Sequence, residues 1–159
     1  MAKIYLESFI NAPVERVFDL ARSIELHKLS TKGTNEEAIA GRTSGLINLD
    51  ETVTWRAKHF GIYQTLTTVI TQFDRPNSFA DKMIKGAFAS MHHIHQFKTQ
   101  EGGTNMTDIF EFSAPLGLLG WVAETTFLKA YMKKFLLMRN EEIKMIAEGE
   151  GWKELINGQ

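Results

Sequence analysis

From Leu118 to Glu148 one helical pattern runs without a break, "LLGWVAETTFLKAYMKKFLLMRNEEIKMIAE", and a helix this long needs an extensive surface to pack on. Trp121, Val122, Leu128, Met132, Phe135, Ile143 and Ile146 fall on one broad apolar stripe, and Gly149 stands where the helix ends. The first half is apolar almost all round. Lys129, Lys133 and Lys134 interrupt it, so burial against a sheet is expected there rather than contact with a membrane or a partner.

Ahead of Pro115 the period changes from that of a helix to that of strands. "ETVTWRAKHF", "IYQTLTTVITQF", "SFADKMI" and "GAFASMHHIHQFKTQEGGTNMTDIFEF" read as antiparallel strands in sequence, with Gly61, "DRPNS", Lys85-Gly86 and "QEGG" as turns between them. Lys3 to Ile10 alternates as a first strand. Pro13 then opens a short helix with Val14, Val17, Phe18 and Ala21 on one face, and "SIELHKLS" reads as a second, carrying Ile24, Leu26 and Leu29. "TKGTN" and "AGRTSG" are rich in turn residues. The predicted class is α+β: an antiparallel sheet packed on a long C-terminal helix, as one domain over residues 1–159.

Charge and composition narrow the partners. A net charge of −1 with both signs interspersed leaves no basic footprint for a nucleic-acid backbone. The chain has no cysteine, which excludes disulfides, thiol nucleophiles and Cys-ligated zinc or iron–sulfur centres. No apolar run reaches membrane-spanning length and the first residues lack a cleavable leader pattern, so a cytoplasmic protein is expected.

His92, His93 and His95 lie within four residues, but strand alternation divides them. Met91, His93, His95 and Phe97 share one face, and on the next strand Met106, Asp108, Phe110 and Phe112 share an apolar-biased one. If the "QEGG" turn sets Thr99 opposite Thr104, His95 falls opposite Asp108, His93 opposite Phe110 and Phe97 opposite Met106. The turn at Lys85-Gly86 brings Asp81, on the face of Phe79 and Met83, toward His93. Two histidines on one strand face can present imidazoles to zinc, with Asp108 completing or orienting the set, but no third and fourth ligand can be identified. No metal or other cofactor is expected. The other readings are a buried polar network, the polar end of a ligand pocket, and a histidine general base. Trp55 lies on the face of Val53 and Ala57, as a pocket wall or an ordinary core residue, with Arg56 pointing the other way. Glu51 and His59 share Trp55's parity and are expected to be solvated.

The order of elements, with "INAPVERVFDL", "TWRAKHFG", P-x-x-F-x-D, G-x-F-x-x-x-x-H-x-H-x-F, GGT-x-M-x-D and PLG-x-LG, resembles the helix-grip fold of the START-like or SRPBCC superfamily, in its ligand-binding, polyketide-cyclase-like branch. The resemblance covers essentially the whole chain. It implies a curved sheet wrapped around the C-terminal helix, with a cavity for an apolar or amphipathic small molecule between them. His93, His95, Asp108 and Asp81 match the branch's inward-facing polar motif, and Phe110, Phe112 and Trp121 match lining positions. Met91 stands where members of the branch often carry tryptophan. A binding module is the expected function. The alternatives are a cyclase- or hydratase-like enzyme in which His95, oriented by Asp108, moves a proton, and a regulatory module, homodimeric or bound to another protein or a membrane, that uses the apolar first half of the last helix.

Overall fold

The computed structural model describes residues 1–157. Strand β1 (Ala2–Ile10) is followed by helices α1 (Val14–Ala21) and α2 (Ile24–Ser30), a 3-10 turn (Lys32–Thr34), and strands β2 (Glu37–Gly41), β3 (Thr52–His59), β4 (Ile62–Asp74), β5 (Ser78–Lys85), β6 (Ser90–Gln100) and β7 (Gly103–Ser113). Together they form a seven-stranded antiparallel sheet in the order β1-β7-β6-β5-β4-β3-β2, with β1 crossing over to pair with β7. Register shifts interrupt the β2–β3 and β4–β5 ladders, and such irregularities bend a strand and increase its twist, which a grip on a helix requires.

The C-terminal helix is α-helical over α3 (Gly117–Ala123) and α4 (Lys129–Glu148), joined by a π-helical stretch, Glu124–Leu128. At the joint the Thr125 and Thr126 hydroxyls donate back to the carbonyls of Trp121 and Val122, a local competition with the regular ladder. Only α4 is gripped. It packs on β1, α1 and α2 and buries Met132, Leu136, Ile143 and Ala147. The start of this helix, expected against the sheet, is instead largely exposed: Leu118 at 76%, Leu119 at 74% and Trp121 at 57%, with Val122 and Phe127 also open to solvent. Its lysines mark the side of the helix away from the sheet, but α3 itself makes its main contacts with the π-helical stretch, beyond the gripped length.

Two elements fall outside the sequence expectation. β2 pairs Ala38 with Trp55 at the sheet edge, where "EEAIAG" carries a single β-branched residue, and a short α5 (Trp152–Ile156) returns against α1. The buried side chains form two clusters. One gathers α1, α2 and the residues Val53, Trp55, Ile70, Phe79 and Phe97, and the other gathers Ile4, Leu6, Met91, Phe110, Phe112, Met132 and Leu136. Phe18, fully buried on α1, anchors the first through edge-on contacts with Phe73, Phe79 and Phe97 at 5.4, 5.4 and 5.2 Å. Phe18→Ala is expected to cost about 3–5 kcal/mol in urea unfolding; a loss below about 1 kcal/mol would mean that this cluster is not a folding core.

Candidate functional site

The turn after Gln100 sets the register: Thr99 stands opposite Thr104, Phe97 opposite Met106, His95 opposite Asp108 and His93 opposite Phe110, while β5 brings Asp81 opposite His93. Asp81, His93, His95 and Asp108 therefore share the concave face, with His92 on the other. Their bonds run diagonally to the register. His93 Nε2 lies 2.9 Å from Asp108 Oδ1, and His95 Nε2 lies 3.4 Å from Asp81 Oδ1. His95 Nδ1 is also 2.8 Å from Asp108 Oδ1, without the alignment of a hydrogen bond. Phe79 stacks on the His95 ring at 4.3 Å, and Phe110 meets His93 edge-on at 5.1 Å.

Two further members come from α4. Asn140 donates from Nδ2 to Asp108 Oδ2 at 2.7 Å, and the Arg139 guanidinium lies 3.6 Å from Asp108 Oδ1 while donating to the Ala21 carbonyl at 2.9 Å. Both are buried, although "RNEE" reads as a solvated helix face. The signal that finds them is phase: Met132, Leu136, Ile143 and Ala147 define the inward stripe, and Arg139 and Asn140 occupy its next step, where another apolar residue is due.

Burial alone would raise the Asp108 carboxyl, but the hydrogen bond from His93 and the close approach of His95 outweigh it and hold the group well below the ordinary carboxylate range. Asp81 is likewise pushed up by burial and brought below its ordinary value by the His95 hydrogen bond and the nearby charges. Burial, reinforced by the neighbouring His95, lowers His93 to about 4. At neutral pH His93 is therefore a neutral ring. A carboxylate can only accept, so Nε2 donates to Asp108 and Nδ1 keeps the lone pair.

The cluster closes one end of a cavity between the two cores. An inner chamber of about 130 Å³ is lined by Asp81, Met91, His93, His95, Phe110 and Trp55, among others. It adjoins an outer chamber of about 560 Å³, and the two share Glu36, Trp55, Leu66, Phe88, Met132 and Phe135. The outer wall is almost wholly apolar and opens between Phe60, Leu116, Leu119 and Phe127. Asp108 faces neither chamber and acts from behind the histidines. Phe112, expected as lining, packs against Phe88 and Phe110 in the core, because its side chain sits under Phe88. Trp121 is a second correction: Leu119, Gly120 and Ala123 line the mouth, and the helical phase turns Trp121 away from it. His59, expected to be solvated, is half-buried, with Nδ1 2.7 Å from the Tyr131 hydroxyl, and burial lowers its pKa. Among the described residues, Asp81, His93 and His95 each offer an atom within 4.8 Å of the others and are the group that could ligate a divalent ion.

A curved antiparallel sheet closed over a long C-terminal helix, with a cavity between them, defines a helix-grip protein. The chain belongs to the polyketide cyclase / dehydrase and lipid transport family, whose model matches residues 1–140. No curated protein matches its sequence. Among solved structures it is similar to TTHA0849 from Thermus thermophilus, at 18% identity and a TM-score of 0.70 over 89% of this chain and 97% of that one. It is similar also to ginseng major latex-like protein 151 from Panax ginseng, at 15% identity and a TM-score of 0.67 over 93% and 98% of the two chains. The di-domain ARO/CYC StfQ from the steffimycin biosynthetic pathway matches at 10% identity and a TM-score of 0.73, over 92% of this chain and 50% of that one.

His93 gives the site a pH signature. The unfolded chain takes up this proton near pH 6.5 and the folded chain only near 4, so stability present above pH 6.5 is lost as the pH falls toward 4. At about 1.4 kcal/mol per unit the loss is about 3 kcal/mol, and His59, also lowered, acts in the same direction. Urea titrations at pH 7, 5.5 and 4 read it directly; His93→Gln should flatten the slope, and an unchanged slope would contradict the assignment. Asp108→Ala should cost about 1–3 kcal/mol by stranding its buried donors, with Asp108→Asn milder because one acceptor is kept.

Proposed function

We propose that this chain is a cytoplasmic binding protein for an apolar or amphipathic small molecule, with the polar part of the ligand at Asp81, His93 and His95 and its apolar body in the outer chamber. The observation that carries this reading is the pair of adjoining chambers, about 130 Å³ at the polar end and about 560 Å³ at the apolar end, with six wall residues in common. The larger value lies in the range of pockets that enclose drug-sized ligands, and a mostly apolar wall with a few convergent polar groups is the usual composition of such sites. Family membership supports the same reading.

One observation favours a second reading, a cyclase-type enzyme. His93 combines an Nε2 bond to a buried carboxylate with a lone pair on Nδ1, which is the arrangement of an oriented general base. The base in that reading is His93 rather than His95, since Asp108 aligns with His93.

Native mass spectrometry of the purified protein, with titration by the neutral fluorophore N-phenyl-1-naphthylamine, tests the binding reading. A co-purifying adduct or saturable fluorescence is expected, and Leu66→Trp, at the junction of the chambers, should weaken fluorophore binding at least tenfold while the protein stays folded. Failure to bind any apolar probe would remove the proposal. A metal at Asp81, His93 and His95 makes a different forecast: elemental analysis would find one ion per chain, and chelator would lower the melting temperature.

A further inference from the structure

Among the described residues, Glu36 is the one carboxylate of the cavity wall that makes no hydrogen bond. It follows the 3-10 turn and shares the inward parity of Ala38, which pairs with Trp55, while Glu37 and Ile39 face solvent. Its side chain is only 8% exposed and lines both chambers at their junction. Within the same described residues, Glu36 Oε2 is the only carboxylate oxygen that is fully buried without a hydrogen bond. The nearest basic group is His27, whose Nε2 lies 3.3 Å from Oε1 but is itself without an aligned partner, because the ring is stacked on Trp55 at 4.2 Å.

The other charges that line the two chambers are matched, and Lys28, Lys32 and Arg56 share a separate groove with Glu36 on its outer side. Asp81 has His95, Asp108 has His93, Asn140 and Arg139, and Arg22 is paired with Asp19 at 2.8 Å. A buried carboxylate is costly unless it meets a donor, and a charged donor serves it best. The walls beside Glu36 are aromatic, with Trp55, Tyr131 and Phe135 around the outer chamber, and aromatic faces attract cations as they do apolar groups. From this juxtaposition we infer that Glu36 is a second recognition point, which takes a protonated basic nitrogen carried on the apolar body of the ligand. The inference rests on the cavity-binding reading and narrows its ligand class to amphipathic amines.

Competition against N-phenyl-1-naphthylamine at pH 7 with dodecylamine, dodecanol and dodecanoate tests it. These probes share a tail and differ in head group, and the amine is an ammonium at that pH. In the wild type the Kd of dodecylamine should lie at least tenfold below that of dodecanol, with dodecanoate weakest. In Glu36→Gln, which keeps the shape and removes the charge, the ratio of the first two should fall to near one. A wild type with no preference for the ammonium overturns the inference even if the variant does not fold, and so does a folded variant that keeps the preference, which would leave Glu36 as the partner of His27 alone. If dodecanol and the fluorophore bind without any head-group preference, the cavity reading survives and this one falls. If no probe binds at all, both fall.

Discussion

The fully buried carboxylate of Asp108 is the constraint to which the rest of the site is fitted. An ionised group with no exposure is tolerated only when its lone pairs are filled, and here the donors come from two layers: His93 from the neighbouring strand and Asn140 from the helix, with the Arg139 guanidinium 3.6 Å away. Because Arg139 also bonds the Ala21 carbonyl at the end of α1, one cluster ties β7, β6, α4 and α1 together. Apolar packing alone lets a helix slide and rotate in its groove at modest cost. A carboxylate that must meet Asn140 at 2.7 Å fixes both azimuth and height.

That arrangement has a chemical consequence on the concave side. With Nε2 engaged behind it, His93 has one nitrogen left, and burial keeps the ring neutral. His95 is held flat against Phe79 with Asp81 at its far nitrogen. His93 is therefore set in place by Asp108, which lines neither chamber, as outer-shell groups orient working groups in many sites, while His95 is held by Phe79 and Asp81 within the wall of the inner chamber.

Much of this was legible in the sequence because strand periodicity and a short turn leave few options. Once "QEGG" is read as the turn, Thr99 meets Thr104 and every later pair follows, so His95 opposite Asp108 was a matter of counting. The diagonal bonding was not legible, because register gives Cα neighbours while ring rotation decides which nitrogen reaches which oxygen. Arg139 and Asn140 were hidden by residue type: polar residues on a helix are usually solvated, and only the phase of the stripe marks them as inward. β2 was missed because its pairing is supplied by β3 and not by its own composition. Trp121 and Phe112 failed in opposite directions, one turned to solvent by helical phase and the other screened from the cavity by Phe88.

The C-terminal helix divides its work along its length. Over α4 the inward positions hold apolar side chains plus the Arg139 and Asn140 pair, so this half stabilises the sheet and orients the polar pole. Over α3 no such match exists, and Leu116, Leu118, Leu119 and Trp121 remain exposed. Apolar side chains left in water are ordinary when scattered, but these are contiguous and continue into the wall of the outer chamber through Leu116 and Leu119. The π-helical stretch lies between the two regimes, and its threonine hydroxyls take carbonyls of α3 that the regular ladder leaves poorly served. The mouth of the cavity is thus bordered by a helical segment with few contacts to the sheet, while the opposite pole is tied to the helix through a buried carboxylate.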